Sequence, residues 1–163
     1  MTERDRRMIR AEFPPAVPAC DSDVRTQYGA LCWRHGVEGV EVLLITSRDT
    51  GRWVIPKGWP IDKLTPEASA AREAWEEAGV EGAAHPECLG LYGYDKGIGE
   101  ERLPLPCRVA VYPLQVEALA RRYPEHKQRR RKWFTPEKAA RKVAEPELQA
   151  LLAAFVPTAI REA

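Results

Sequence analysis

Apolar positions along the chain fall into short runs separated by glycine, proline and charged turns, a pattern of strands interleaved with a few helices. Arg25 to Arg34 reads as a strand, and Val40 to Ser47 as a second. In the second, Val42-Leu43-Leu44-Ile45 is continuously apolar, as suits a strand buried on both faces. His35 to Gly39 between them reads as a hairpin loop, and Asp49-Thr50-Gly51 as a turn before the short segment Trp53-Val54-Ile55. Pro56 to Pro60 breaks the pattern and opens a loop to Leu64. Thr65-Pro66-Glu67 is a helix start: threonine caps, proline takes the first helical position, and glutamate sits in the positive first turn. That helix is expected to run to Ala78 and stop at Gly79. Further strands are expected at 88–94 and 107–116, with Asp95 to Pro106 as a loop, and Lys132-Trp133-Phe134 as a short edge segment. Thr135-Pro136-Glu137 repeats the helix start, and a last helix is expected from Pro146 to near Ile160. Residues 1–24 are polar and broken by Pro14, Pro15 and Pro18, so they are expected to be a flexible segment ahead of one domain at 25–163. The alternation points to an α/β class sandwich around a mixed sheet.

Bulk numbers narrow the function little. A chain of 163 residues with 44% hydrophobic and 30% charged residues suits one globular domain with a real core. A net charge of +1 excludes broad electrostatic attraction to DNA and gives no reason to expect RNA. No apolar stretch approaches the roughly 18 residues that span a membrane, and Met1 to Arg7 lacks the apolar run of a signal peptide. Cys20, Cys32, Cys88 and Cys107 share no zinc spacing, and free thiols fit a reducing compartment, so a cytoplasmic location is expected. His35, His85 and His126 fall in loops without ligand spacing and read as surface residues.

Local charge is more informative than the sum. On the 66–78 helix, residues three and four apart are neighbours, so Glu73, Glu76 and Glu77 share one edge, with Ala71, Ala74, Trp75 and Ala78 opposite. Clustered carboxylates repel one another, and hard divalent cations take such ligands and bridge to substrate phosphates. A glutamate-rich solvated helix face, with Arg72 pairing Glu76 four residues on, explains the cluster equally well on its own.

The wider spacing separates these readings. Gly58 lies fourteen residues before Arg72-Glu73-x-x-Glu76-Glu77-x-Gly79-Val80. This resembles the Nudix box, in which a glycine and then a glutamate precede R-E-U-x-E-E-x-G-U, U being aliphatic or bulky. Six positions match, and with residue frequencies near 7% chance agreement at one start is on the order of 10⁻⁷. One position departs: the glutamate expected six residues after the glycine is Leu64. The resemblance implies a Nudix-type α/β/α sandwich and metal-dependent hydrolysis of a pyrophosphate bond with Mg²⁺ or Mn²⁺. It implies Glu73 and Glu77 as metal ligands, joined by the Lys57 backbone carbonyl. Glu76 is implied as a ligand or the base for the attacking water, with Arg72 orienting the glutamates. Over residues 25–143 the chain is similar to the diphosphoinositol polyphosphate phosphohydrolases. That implies a densely anionic small-molecule substrate, a diphosphoinositol or dinucleoside polyphosphate, met by Arg25, Ser47, Arg48 and Arg130. Two alternatives stand beside this: a Nudix-fold binding or regulatory module without catalysis, and an RNA 5′-end pyrophosphohydrolase using the basic run at 127–132. The oligomeric state is left open.

Overall fold

The computed structural model describes residues 24–101 and 103–157, apart from the side chain of Ile98. Alternate residues of β1 (Arg25–Gly36) divide between two faces: Tyr28, Ala30 and Cys32 go to one core, Leu31 and Trp33 to the other. β2 (Gly39–Thr46) does the same with Leu43 and Ile45 against Val42 and Leu44, which is why its apolar run is unbroken. The β1–β2 turn is tighter than a five-residue loop, because Gly36 pairs with Gly39. On the other side β1 pairs in parallel with β7 (Leu103–Gln115), which pairs antiparallel with β6 (Gly90–Ile98). The sheet is therefore mixed.

Further along, β1 and β2 part, and residues 53–58 enter the fork. Their first half, β3 (Trp53–Val54), pairs with β2. Their second half, β4 (Lys57–Gly58), pairs with β1, and the Ala30 amide donates to the Pro56 carbonyl at 3.0 Å. The expected break at Pro56 to Pro60 is thus partly ladder, fixed to the sheet on both sides.

Helix α1 (Pro66–Ala78) has the expected bounds. Thr65 accepts from the Ala68 amide at 3.3 Å, and Gly79 closes the helix with φ 67°, donating to Ala74 and Trp75 carbonyls. A Cβ at Gly79 would also run into the Tyr123 ring, so space and conformation both demand glycine. Ala70, Ala74 and Ala78 are fully buried against Tyr28, Ala30, Leu43, Ala110 and Tyr112. Ala71 and Trp75, expected on this face, are only half-buried, because the stripe at 70, 74, 77 and 78 has the helical period. The chain continues through β5 (Val80–Glu81), which pairs with β8 (Ala118–Leu119). The edge strand β9 (Arg131–Phe134) pairs with β2. Helices α2 (Pro136–Lys142) and α3 (Pro146–Ala153) cover the second core with Ala139, Leu148 and Leu152. Among the described residues, one helix on one face and two on the other make the expected α/β/α sandwich.

Two further expectations are corrected. Asp95 to Pro106 is not a loop: the 90–98 and 103–115 strands run on as a hairpin, with Asp95 opposite Pro106 and Gly97 opposite Pro104. In the described residues this stretch of β7 has only β6 as partner, so proline's missing N–H faces an unpaired edge and costs no ladder bond. The last helix ends at Ala153, short of Ile160, with Ala154 as its cap. Residues 158–163 and the expected flexible segment, apart from Val24, lie outside the described residues. Among the described residues no helix is long and apolar enough to cross a membrane.

Candidate active site

The three glutamates of α1 are graded in depth. Glu77 lies seven residues after Ala70, inside the buried stripe, and is only 7% exposed. Glu73 is half-buried at its edge, and Glu76 faces outward with its side chain 35% exposed. Glu73 lies directly beneath β4: a Cβ on Gly58 would overlap its carboxyl group, so glycine there is a cradle for that carboxyl. The amide of Lys57 donates to Glu77 Oε1 at 3.4 Å. The fork thus brings the Gly58 loop onto two of the three carboxylates.

Burial, the adjacent Glu77 and Glu76 charges and a hydrogen bond to Glu77 push the Glu73 carboxyl up to about 8. Burial also raises Glu77, opposed by the charges of Arg129 and Lys57. Two touching carboxylates that hold a proton well above the usual range form a site short of positive charge, all-oxygen in chemistry. That fits a hard divalent cation held by Glu73 and Glu77. Glu76 is turned away, its Oε1 taking a 3.2 Å bond from Arg72 Nε. Among the described residues no three His, Cys, Asp or Glu side chains are gathered closely enough to form a complete metal cluster. At an exposed i, i+4 position the Arg72–Glu76 pair is worth about 0.3–0.5 kcal/mol, too little to fix Glu76 there.

Folded-state protonation sets an expected pH response. Glu73, raised from 4.5 to about 8, keeps a proton on folding that the unfolded chain releases, and Glu77 has the same sign. This stability is full below the ordinary carboxylate range and is lost as pH rises through the folded value. The lowered Lys57 ammonium has the opposite sign toward the alkaline end. The melting temperature of metal-free protein should therefore fall between about pH 5 and pH 8, and saturating Mg²⁺ should reverse most of that fall. Equal melting temperatures with and without Mg²⁺ at pH 8 would remove the cation from this pair.

The substrate-facing candidates collect at one end of the sheet, opposite the β1–β2 turn. Arg25 opens β1 there, exposed, and Ser47 and Arg48 follow the last residue of β2. Ser47 is engaged in its own turn, its hydroxyl 2.6 Å from that of Thr50. Arg48 donates to Gln128 Oε1 at 3.0 Å and lies 3.7 Å from Glu125. Arg130 is exposed with its guanidinium over the Trp53 ring.

Sequence reading missed Arg129 and Glu125. Arg129, its side chain 10% exposed, donates to Glu125 Oε1 at 2.9 Å and to the Thr46 carbonyl at 3.1 Å, and lies 3.7 Å from Glu77. Arg131 donates to the Ala78 carbonyl at 2.7 Å, a cation on the negative end of α1. The basic run therefore alternates, Arg129 and Arg131 toward α1, Arg130 and Lys132 over Trp53 and Phe134. Period-two alternation into the following strand was the available signal.

A NUDIX domain family model matches residues 25–155. The chain belongs to the Nudix family. It is similar to Nudix hydrolase 16, mitochondrial, of Arabidopsis thaliana, at 40% identity over 110 residues, 66% of this chain and 60% of that protein. It is also similar to human diphosphoinositol polyphosphate phosphohydrolase 3-beta, at 32% over 111 residues, 67% of this chain and 63% of that protein. The Nudix chain thus spans about three fifths of the length of these relatives. Among solved structures, C. elegans Ap4A hydrolase aligns with TM-score 0.57 at 21% identity, covering 80% of this chain and 94% of that one. The NUDIX domain of Shewanella oneidensis NrtR, complexed with ADP ribose, aligns with TM-score 0.59 at 16% identity, covering 94% and 96%. Both share the Nudix fold with this chain.

Proposed function

We propose that this Nudix domain hydrolyses a pyrophosphate bond in a small phosphorylated molecule, with Mg²⁺ or Mn²⁺ held by Glu73, Glu77 and the Lys57 carbonyl. The observation that carries the reading is the Glu73–Glu77 pair beneath Gly58, a buried site with an unmet need for positive charge. A bound divalent ion would lower the pKa of a water and polarise a phosphoryl oxygen. Glu76 takes the proton of the attacking water on its free carboxylate oxygen, Oε2, while Arg72 orients the carboxylate through the 3.2 Å bond to Oε1. The water oxygen bonds to phosphorus as the bridging P–O bond breaks. Arg25, Arg48 and Arg130 meet the remaining phosphates, and Ser47 lies beside them. Such a set favours a diphosphoinositol or dinucleoside polyphosphate, in keeping with the names of the human relative and the C. elegans structure.

The test is a screen of diphosphate-containing compounds with Mg²⁺ and Mn²⁺, reading released phosphate after a coupled phosphatase. No turnover of any compound by folded, metal-loaded protein would sink the hydrolase reading. The second reading, a binding module, is favoured by one observation: only two of the three box carboxylates are gathered. Binding of a diphosphate compound without turnover would select it.

Arg130 supplies a sharper check on the substrate class. Its guanidinium is exposed, so truncation spares the fold. Arg130→Ala should raise KM for a dinucleoside polyphosphate by about ten- to a hundredfold, the value of one charge-assisted hydrogen bond. The contact exists in ground and transition states alike, so kcat should change little. Equal, small changes for a polyphosphate and a nucleotide sugar would reduce the basic run to a solvated edge.

A further inference from the structure

Among the described residues, Arg129 is a guanidinium shared between a candidate cation ligand and a carboxylate outside α1. Its Nε and Nη1 are committed to Glu125 at 2.9 Å and the Thr46 carbonyl at 3.1 Å. The remaining nitrogen, Nη2, is 3.7 Å from Glu77, beyond hydrogen-bond range. Glu125 does not owe its place to Arg129. Its amide donates to the Glu76 carbonyl at 3.0 Å, and the amide of Gln128 donates to the Glu125 carbonyl at 2.9 Å. The preceding Tyr123 ring is buried where a Cβ on Gly79 would sit. Backbone contacts with the end of α1 therefore fix the Glu125 backbone independently of Arg129, and its carboxylate reaches Arg129 from there. It also takes the weaker, exposed Arg48 contact on the same oxygen.

We propose that Glu125 is a positioning residue that holds Arg129 away from Glu77 and so keeps the Glu73–Glu77 pair open to a divalent cation. Without Glu125, the carboxylate left beside the buried guanidinium is Glu77. Arg129 then closes the gap to hydrogen-bond length and occupies, with its own charge, the place of the cation. The inference rests on the cation site proposed above and goes beyond it, since Glu125 lies outside the box and is assigned no contact with the ion.

The experiment is a double-mutant cycle on Mn²⁺ affinity, read from free Mn²⁺ by electron paramagnetic resonance, with folding followed by circular dichroism. Glu125→Gln should weaken Mn²⁺ binding by about tenfold, the low end of one charge-assisted hydrogen bond. Arg129→Gln should bind Mn²⁺ at least as tightly as the parent, because the competing charge is gone. The double variant should match Arg129→Gln, since Glu125 acts through Arg129. Unchanged Mn²⁺ affinity in folded Glu125→Gln overturns the proposal. So does a further tenfold loss in the double variant, which would make Glu125 act on the ion directly. If Glu125→Gln fails to fold, weakened binding in Arg129→Gln overturns the proposal independently. Absence of Mn²⁺ binding by the parent would remove the cation site and this inference together. Binding and turnover by the parent with an additive cycle would remove the inference alone.

Discussion

Glu77→Gln should lower turnover by a factor on the order of 10³ while leaving the fold intact, because a cation site at this pair supplies several kcal/mol of transition-state stabilisation. The two parts of that expectation have separate physical grounds. Glu77 is buried and its carboxyl is raised, so burial disfavours its charge. The neutral amide removes that cost and keeps an oxygen for the Lys57 amide 3.4 Å away. Arg129 keeps its Glu125 and Thr46 partners, so its guanidinium is not left unpaired. Without metal, Glu77→Gln should therefore melt no lower than the parent at pH 8, and its melting temperature should respond less to Mg²⁺. A variant retaining more than a tenth of the parental rate would remove Glu77 from the ligand set.

Gly58→Ala is expected to separate folding from function even more clearly. The added methyl would meet the carboxyl end of Glu73, a flexible tip that can swing aside. The φ of Gly58 is not in the left-handed region, so alanine adds no backbone strain. Melting should barely change. Glu73, however, must leave its place beside Glu77, and displacement of a site group by about 1 Å can cost a hundredfold in rate. We expect a loss of about that size in kcat, with weaker Mn²⁺ binding read by electron paramagnetic resonance. A variant with parental kcat and Mn²⁺ affinity would show that Glu73 is not required where the structure places it.

What could be read from the sequence follows from how local each signal is. Helix α1 was legible at both ends, since the Thr65 cap, Pro66 and Gly79 act within a few residues. So was β2, whose apolar run reports burial on both faces. The 95–106 stretch was not legible, because Gly97, Pro104 and Pro106 argue locally against a strand, and they are harmless because, among the described residues, that part of β7 pairs with β6 alone. At the site, the box spacing brought Glu73, Glu76, Glu77 and Gly58 forward, but not their depth. The notion of a shared edge hid the difference between Glu77, in the core stripe with Ala70 and Ala74, and Glu76, paired with Arg72. Arg129 and Glu125 were invisible for a different reason. They reach the site from about fifty residues beyond α1, and nothing local distinguishes Arg129 from the arginines beside it.

The fork in the sheet also bears on how the protein would lose activity on heating. Many hydrolases carry their reactive loop on a segment that can open by itself, so inactivation precedes melting. Here residues 53–58 are laddered to β2 on one side and β1 on the other, and the Ala30–Pro56 bond lies in the middle of the core strand. Residues 53–58 can open only by breaking ladder bonds to both strands. For this chain, loss of the proposed activity on heating is expected to coincide with cooperative unfolding, so that its half-life follows the rate at which the sheet opens.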